Sequence, residues 1–181
     1  MLKDKTLTYI SLFSSAGVGC YGFKMEGFEC IATNELIERR LNVQKHNKKC
    51  KYETGYICGD ITQEETKQLL YNQIKLWKKH DSLKRVDVVI ATPPCQGMSV
   101  ANHKKNDKEI IRNSLVVESI KIIKEINPKF FIFENVPAFM KTICTDIDGQ
   151  DKLISEAIES NLGELYSYSS KVINFKIVLY I

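Results

Sequence analysis

Short apolar runs alternate with longer amphipathic stretches along most of the chain. Residues 7–13, 28–33, 56–58, 86–92 and 130–133 have the length and the β-branched or aromatic content of buried strands. The stretches between them carry helical spacing. A short helix runs to about Glu26 and is closed by Gly27. Residues 36–46 form a second. A long helix opens at Ile61-Thr62 and runs to about Lys79, with Glu64 and Glu65 favourable in its first turn. A polar loop extends to about Asn113. The helix from Ser114 to Ile126 has Ser114 as its cap and Asn127-Pro128 as its stop. A helix around 152–160 and a strand around 166–172 complete the pattern. Repeated strand–helix units predict an α/β fold with a doubly wound, mostly parallel sheet.

Polar or special residues stand at the carboxyl ends of successive strands, where such sheets bind ligands. Ser14 to Gly19 follow the first strand, Glu35 the second, Asp60 the third, Cys95 the fourth and Glu134 the fifth. Pro93 and Pro94 stop the ladder and hold the chain extended where Cys95 is presented. On these residues alone Cys95 is either a nucleophile or an inert core thiol. Gly17 and Gly19 let backbone approach a ligand, or simply punctuate a turn. Glu35 either accepts both hydroxyls of a ribose or caps a helix. Asp60 either bonds an adenine amino group, with Ile61 against the ring, or caps the next helix. The glycine turn lacks the spacing and the Lys-Ser/Thr end of a phosphate loop, so a nucleoside without a triphosphate fits better. Glu134 ends four apolar residues. Partial desolvation there would raise its pKa and suit it to share a proton; the alternative is a salt-bridged structural acid.

Composition narrows the class. The chain has 181 residues, 44% hydrophobic and 27% charged, with a formal net charge of +4. That suits one domain with a substantial core and is compatible with a nucleic-acid partner. Basic residues gather at 45–51, 75–85 and 103–108, and only the third cluster neighbours Cys95. The six cysteines show no C-x-x-C and no zinc spacing, which points to a reducing, cytoplasmic setting. The first apolar run is too short and too interrupted for a signal peptide, and no segment approaches membrane-spanning length.

The motifs Phe13-x-x-x-Gly17-x-Gly19, Asn34-Glu35, Gly59-Asp60-Ile61, Pro93-Pro94-Cys95-Gln96-Gly97-x-Ser99, Arg112-Asn113-x-Leu115 and Glu134-Asn135-Val136 occur in that order. Together they resemble the first six motifs of the cytosine-5 DNA methyltransferases of bacterial restriction–modification type, over residues 7 to about 140. The resemblance implies a Rossmann-like methyltransferase fold with S-adenosyl-L-methionine over the strand ends. Phe13, Ala16, Gly17 and Gly19 would line its pocket, Glu35 would hold the ribose, and Asp60 and Ile61 the adenine, with Pro93 and Leu115 beside them. The implied substrate is double-stranded DNA with a flipped cytosine. Cys95 would attack carbon 6 of the base. Glu134 would bond N3 and the amino group. Gln96, Ser99 and Asn135 would contact the substrate. The loop from about Gly97 to Arg112 carries His103, Lys104, Lys105 and Lys108, suited to phosphates. No metal and no membrane is implied.

Three positions depart from the family pattern. Ser11 stands where many members have an acid, Ser15 where they have a glycine, and Thr92 where a glycine commonly precedes Pro-Pro. Residues 1–181 read as the N-terminal part of the catalytic domain, without the target-recognition region or the C-terminal motifs; three readings stay open, a split-gene subunit whose second chain supplies them, a truncated reading frame, or an expressed fragment. The competing readings are a tRNA cytosine-5 methyltransferase, a cofactor-binding fragment inactive without its partner, and a thiol-redox or cysteine hydrolase domain. The last is opposed by the lack of C-x-x-C and by a single histidine, His103, near Cys95.

Overall fold

Five parallel strands build the central sheet in the order β3-β2-β1-β4-β5. They are β1 (Thr8–Leu12), β2 (Glu29–Glu35), β3 (Tyr56–Cys58), β4 (Val88–Ala91) and β5 (Phe130–Phe133). The computed structural model describes residues 6–94 and 107–174, with backbone alone for 107–114. Five helices accompany the strands: α1 (Tyr21–Met25), α2 (Glu38–His46), α3 (Glu64–His80), α4 (Asp107–Ile126) and α5 (Ile154–Leu162). The doubly wound α/β arrangement read from the sequence is present. Strand order runs outward in opposite directions from β1 and β4, so the switch point lies between their carboxyl ends.

Strand alternation divides the core in two. Ile10 and Leu12 of β1 join Leu70 and Trp77 of α3 and Ile120 and Ile123 of α4 on one face. Tyr9 joins Cys20, Cys30, Val88, Ile90 and Phe23 on the other. Helix ends follow local chemistry. Gly27 takes φ 77° and its N–H donates to Lys24 O. Asn127, ahead of Pro128, takes φ 50° and ends α4.

Four expectations change. The stretch read as polar loop is helical from Asp107, and Ser114 lies inside α4 rather than capping it. β5 is not buried on both faces. Phe131 and Phe133 pack on the core, whereas Phe130 is 66% and Ile132 39% exposed. Among the described residues β5 is a sheet edge. A hairpin unmarked in the sequence reading joins β6 (Ile143–Thr145) to β7 (Asp151–Leu153). Asp148-Gly149 is its signal: Gly149 takes φ 80° and donates its N–H to Asp146 O at 2.9 Å. The strand expected at 166–172 is absent. Tyr166 instead packs edge-on against Phe131, ring centroids 5.0 Å apart, and donates its hydroxyl to Pro128 O at 2.7 Å.

Candidate nucleoside site

The turn after β1 is held in unusual backbone geometry. Phe13 and Ser15 take φ 56° and 48°, and Gly17 takes φ 86°. The left-handed region costs a non-glycine residue about 1–2 kcal/mol, so such a turn persists only where its surroundings fix it. Hydrogen bonds made by Ser14, Ser15 and Thr92 contribute to this. Ser14 donates its N–H to Asn34 O at 2.9 Å and its hydroxyl to the same oxygen at 3.0 Å. Ser15 N–H donates to Glu35 Oε2 at 2.8 Å. Thr92 Oγ1 donates to Phe13 O at 3.0 Å, tying the end of β4 to the end of β1. Threonine at a position commonly glycine thus has a local task.

A cleft of about 380 Å³ opens at this switch point, within the usual size range of small-molecule pockets. Phe13, Leu36, Ile61 and Leu115 supply apolar walls, and Glu35 and Asp60 supply acids. Glu35, 5% exposed, also accepts Ile37 N–H at 3.1 Å and Arg40 Nη1 at 3.2 Å on Oε1. Asp60 is exposed and accepts both Thr62 N–H (2.9 Å) and Thr62 Oγ1 (2.8 Å) on Oδ1. It does not cap α3, whose N-cap position is Gln63. Asn34 ties β2 to β3 by donating Nδ2 to Gly59 O at 3.0 Å. Among the described residues no lysine lines the cleft, and Arg40, the one basic residue there, is already paired with Glu35. Such walls suit a neutral or cationic nucleoside better than a polyphosphate.

The structure therefore gathers Phe13, Glu35, Asp60, Ile61 and Leu115 at one cleft. Ala16, Gly17, Gly19 and Pro93 do not line it. Gly17 faces α2: a Cβ there would lie 2.9 Å from Gln44 Cγ. Gly19 has no neighbour within 4 Å of its absent Cβ. Pro93 is buried, and Pro94 takes its place on the cleft wall. Ser15, Leu36, Ile37, Arg40, Thr92 and Pro94 line the cleft without having been expected there from the sequence, and Asn34 and Gly59, part of the motifs, line it too. A signal for two of them existed: Leu36 and Ile37 are apolar residues directly after a strand-end acid, and Leu36 is left 65% exposed.

Glu134 and Asn135 leave β5 beside the end of β4, with Ala91 opposite Phe133. Asn135 Nδ2 donates to Pro93 O at 2.8 Å, and its Oδ1 accepts Val136 N–H at 2.9 Å. The amide is spent on strapping the two strand ends together, which fixes the path into the Pro-Pro segment. Glu134 is exposed, so the desolvation expected of it is not found among the described residues. Cys95, Gln96, Ser99 and the basic loop to Asn106 lie outside the described residues. Among the described residues no group of three metal-ligating side chains forms, and no helix is long and apolar enough to cross a membrane.

A doubly wound sheet with a nucleoside-sized, acid-bearing cleft at its switch point defines the general class. The comparisons with known proteins narrow it. A family model described as C-5 cytosine-specific DNA methylase matches residues 7–178. The type II methyltransferase M1.HgaI of Avibacterium volantium is 33% identical over 165 residues, covering 90% of this chain and 43% of that protein. M.HhaI of Haemophilus parahaemolyticus is 31% identical over 179 residues, covering 96% and 46%. A crystal structure of a prophage-encoded E. coli protein, described as a DNA modification methyltransferase, aligns with TM-score 0.52 at 28% identity, over 75% of this chain and 33% of that one. The chain belongs to the C-5 cytosine-specific DNA methylase family. It spans less than half the length of these curated relatives.

Proposed function

We propose that this chain is the cofactor-binding and nucleophile-bearing part of a DNA cytosine-5 methyltransferase that serves a restriction–modification system. The observation that carries the reading is the convergence of Phe13, Glu35, Asp60 and Ile61 on one cleft beside the strand ends leading to Cys95 and Glu134.

The residues fit S-adenosylmethionine. Glu35 Oε2 carries one backbone N–H, leaving acceptor capacity for a ribose hydroxyl. Asp60 receives bonds on Oδ1 alone, leaving Oδ2 for an amino group of the base. Ile61 and Leu36 provide apolar surface for the ring. When bound, S-adenosylmethionine supplies an electrophilic methyl group. The chain's own residues act on the cytosine. Cys95, as thiolate, attacks carbon 6 of the flipped base. Glu134 bonds N3 and the amino group and stabilises the charge that develops there. Carbon 5 would then take the methyl group, with S-adenosylhomocysteine as the leaving thioether, and would lose its proton to solvent as the Cys95–carbon 6 bond breaks. The Asn135–Pro93 bond supports this geometry by fixing the segment that presents the thiol. Gln96 and Ser99 contact the base or its flanks, and the lysines at 104, 105 and 108 meet phosphates.

DNA reading and closure of the cofactor site fall to polypeptide other than residues 1–181, which the test below supplies as a separate chain. The edge that β5 forms among the described residues and the exposed Phe130 and Ile132 are consistent with a surface that such polypeptide covers. The test is methyl transfer from labelled S-adenosylmethionine to unmethylated DNA by the chain alone, with Cys95→Ser as control, and after adding a polypeptide matching the remaining half of M.HhaI. Transfer only in the combined sample, abolished in the control, is expected. Turnover by the chain alone at a rate proportional to its concentration would remove the second chain from the reading. Activity unchanged by Cys95→Ser would remove the mechanism.

A further inference from the structure

Gln44 is 1% exposed on α2, and its amide is fully committed. Nε2 donates to Ser14 Oγ at 2.9 Å and to Ser15 O at 2.6 Å. Oε1 accepts Thr33 Oγ1 at 2.8 Å and Lys49 Nζ at 3.0 Å. Two donors and two acceptor sites are all used, so the amide has one permissible orientation. Its stem fills the space that a side chain at position 17 would need, 2.9 Å from the ideal Cβ of Gly17.

Ser15 is the residue this arrangement acts upon. It lines the cleft, it is not glycine, and it sits at φ 48°. Its two backbone polar groups are each anchored, the carbonyl by Gln44 and the N–H by the Glu35 carboxylate. The strained turn is therefore over-determined from both sides. Loss of the Gln44 amide would let Ser15 relax towards ordinary backbone geometry. Its N–H would then leave Glu35, and the carboxylate would lose one of the contacts that aim it.

We infer that Gln44 is a positioning residue for the nucleoside part of the cofactor, acting through Ser15 on Glu35. This rests on the reading of the cleft as an S-adenosylmethionine site. The test uses S-adenosylhomocysteine as probe, in equilibrium dialysis well below the melting temperature, on wild type, Gln44→Leu and Gln44→Leu/Ser15→Gly. One buried amide's worth of lost hydrogen bonding predicts roughly tenfold weaker binding in Gln44→Leu. Glycine adopts the left-handed turn without strain, so the double variant regains most of the affinity. Its melting temperature stays low, because the Thr33 hydroxyl still lacks its acceptor and Lys49 Nζ has lost one of two, keeping Thr33 Oγ1 at 3.1 Å. Weakened stability in Gln44→Leu with unchanged affinity would overturn the inference and leave Gln44 a core amide only. Affinity lost equally in the single and double variants would overturn it as well. If wild type takes no probe, the nucleoside reading falls on its own. Hydrogen exchange at the Ser15 and Gly17 amides, both hydrogen-bonded here, then decides whether Gln44 sets the turn. Unchanged exchange in Gln44→Leu would refute that.

Discussion

Replacing Glu35 by glutamine separates hydrogen bonding from charge at the centre of the cleft. The carboxylate accepts Ser15 N–H, Ile37 N–H and Arg40 Nη1. A carboxamide has one acceptor oxygen. If it faces Ser15, the NH2 group meets two donors; if it faces Ile37 and Arg40, the NH2 group meets Ser15 N–H. Either way a partly buried backbone amide loses its acceptor, at a cost of about 1–3 kcal/mol. The lost ion pair adds little, about 0–1 kcal/mol, because Arg40 is 44% exposed. A total near 2 kcal/mol lowers the melting temperature by roughly 4–8 °C for a domain of this size. Thermal unfolding by circular dichroism measures it. The same substitution in an Arg40→Ala background should retain most of the loss, since the backbone amides dominate. A Glu35→Gln variant melting within about 1 °C of wild type would refute the reasoning, as would a loss that disappears with Arg40.

Four further outcomes are expected. Gly17→Ala places a Cβ 2.9 Å from Gln44 at φ 86°, and should lose about 1–3 kcal/mol in denaturant unfolding, whereas Gly19→Ala, with open space around it, should be near neutral. Leu36→Ala removes exposed apolar surface from the cleft, so S-adenosylhomocysteine affinity should fall about fivefold while the melting temperature holds. Asn135→Ala frees Pro93 O and should lower the methyl-transfer rate of the combined assembly by more than its stability, measured side by side. Acid sensitivity should centre partly on Asp87. Burial favours its neutral form, but the Lys129 ammonium at 2.6 Å and two bonds from Thr8 outweigh this and hold the carboxyl below its usual range. A depressed folded value adds stability that is fully present above the ordinary aspartate pKa of about 3.9 and is lost as pH falls through the folded value. Asp87→Asn should therefore be destabilised at pH 7, and the gap to wild type should close below about pH 4 in urea titrations.

The family and the strand-end placement of the site were legible because both are written locally. A β-branched run followed by Pro93-Pro94, or Gly27 after an amphipathic stretch, limits the backbone within a few residues. The ends of β1, β2, β3 and β5 followed from such limits, and so did Glu35 and Asp60 at the cleft. The hairpin at Asp148-Gly149 was equally local, and its signal was present in the sequence.

Other features depend on partners far along the chain, and no local pattern carries them. Phe130-Phe131-Ile132-Phe133 has the sequence of a strand buried on both faces, but its position at the sheet edge leaves alternate residues exposed. Tyr166 has strand-like alternation, yet its ring finds Phe131 and its hydroxyl finds Pro128. Gly17 and Gly19 look alike in the motif, but Gly17 takes φ 86° against Gln44 and Gly19 does neither. The sequence by itself determined which residues stand at the strand ends, since period and turn chemistry act over a few positions. Tertiary structure alone decided which of them face the cleft, because that depends on how β1, α2 and β4 meet across intervals of 30 to 80 residues.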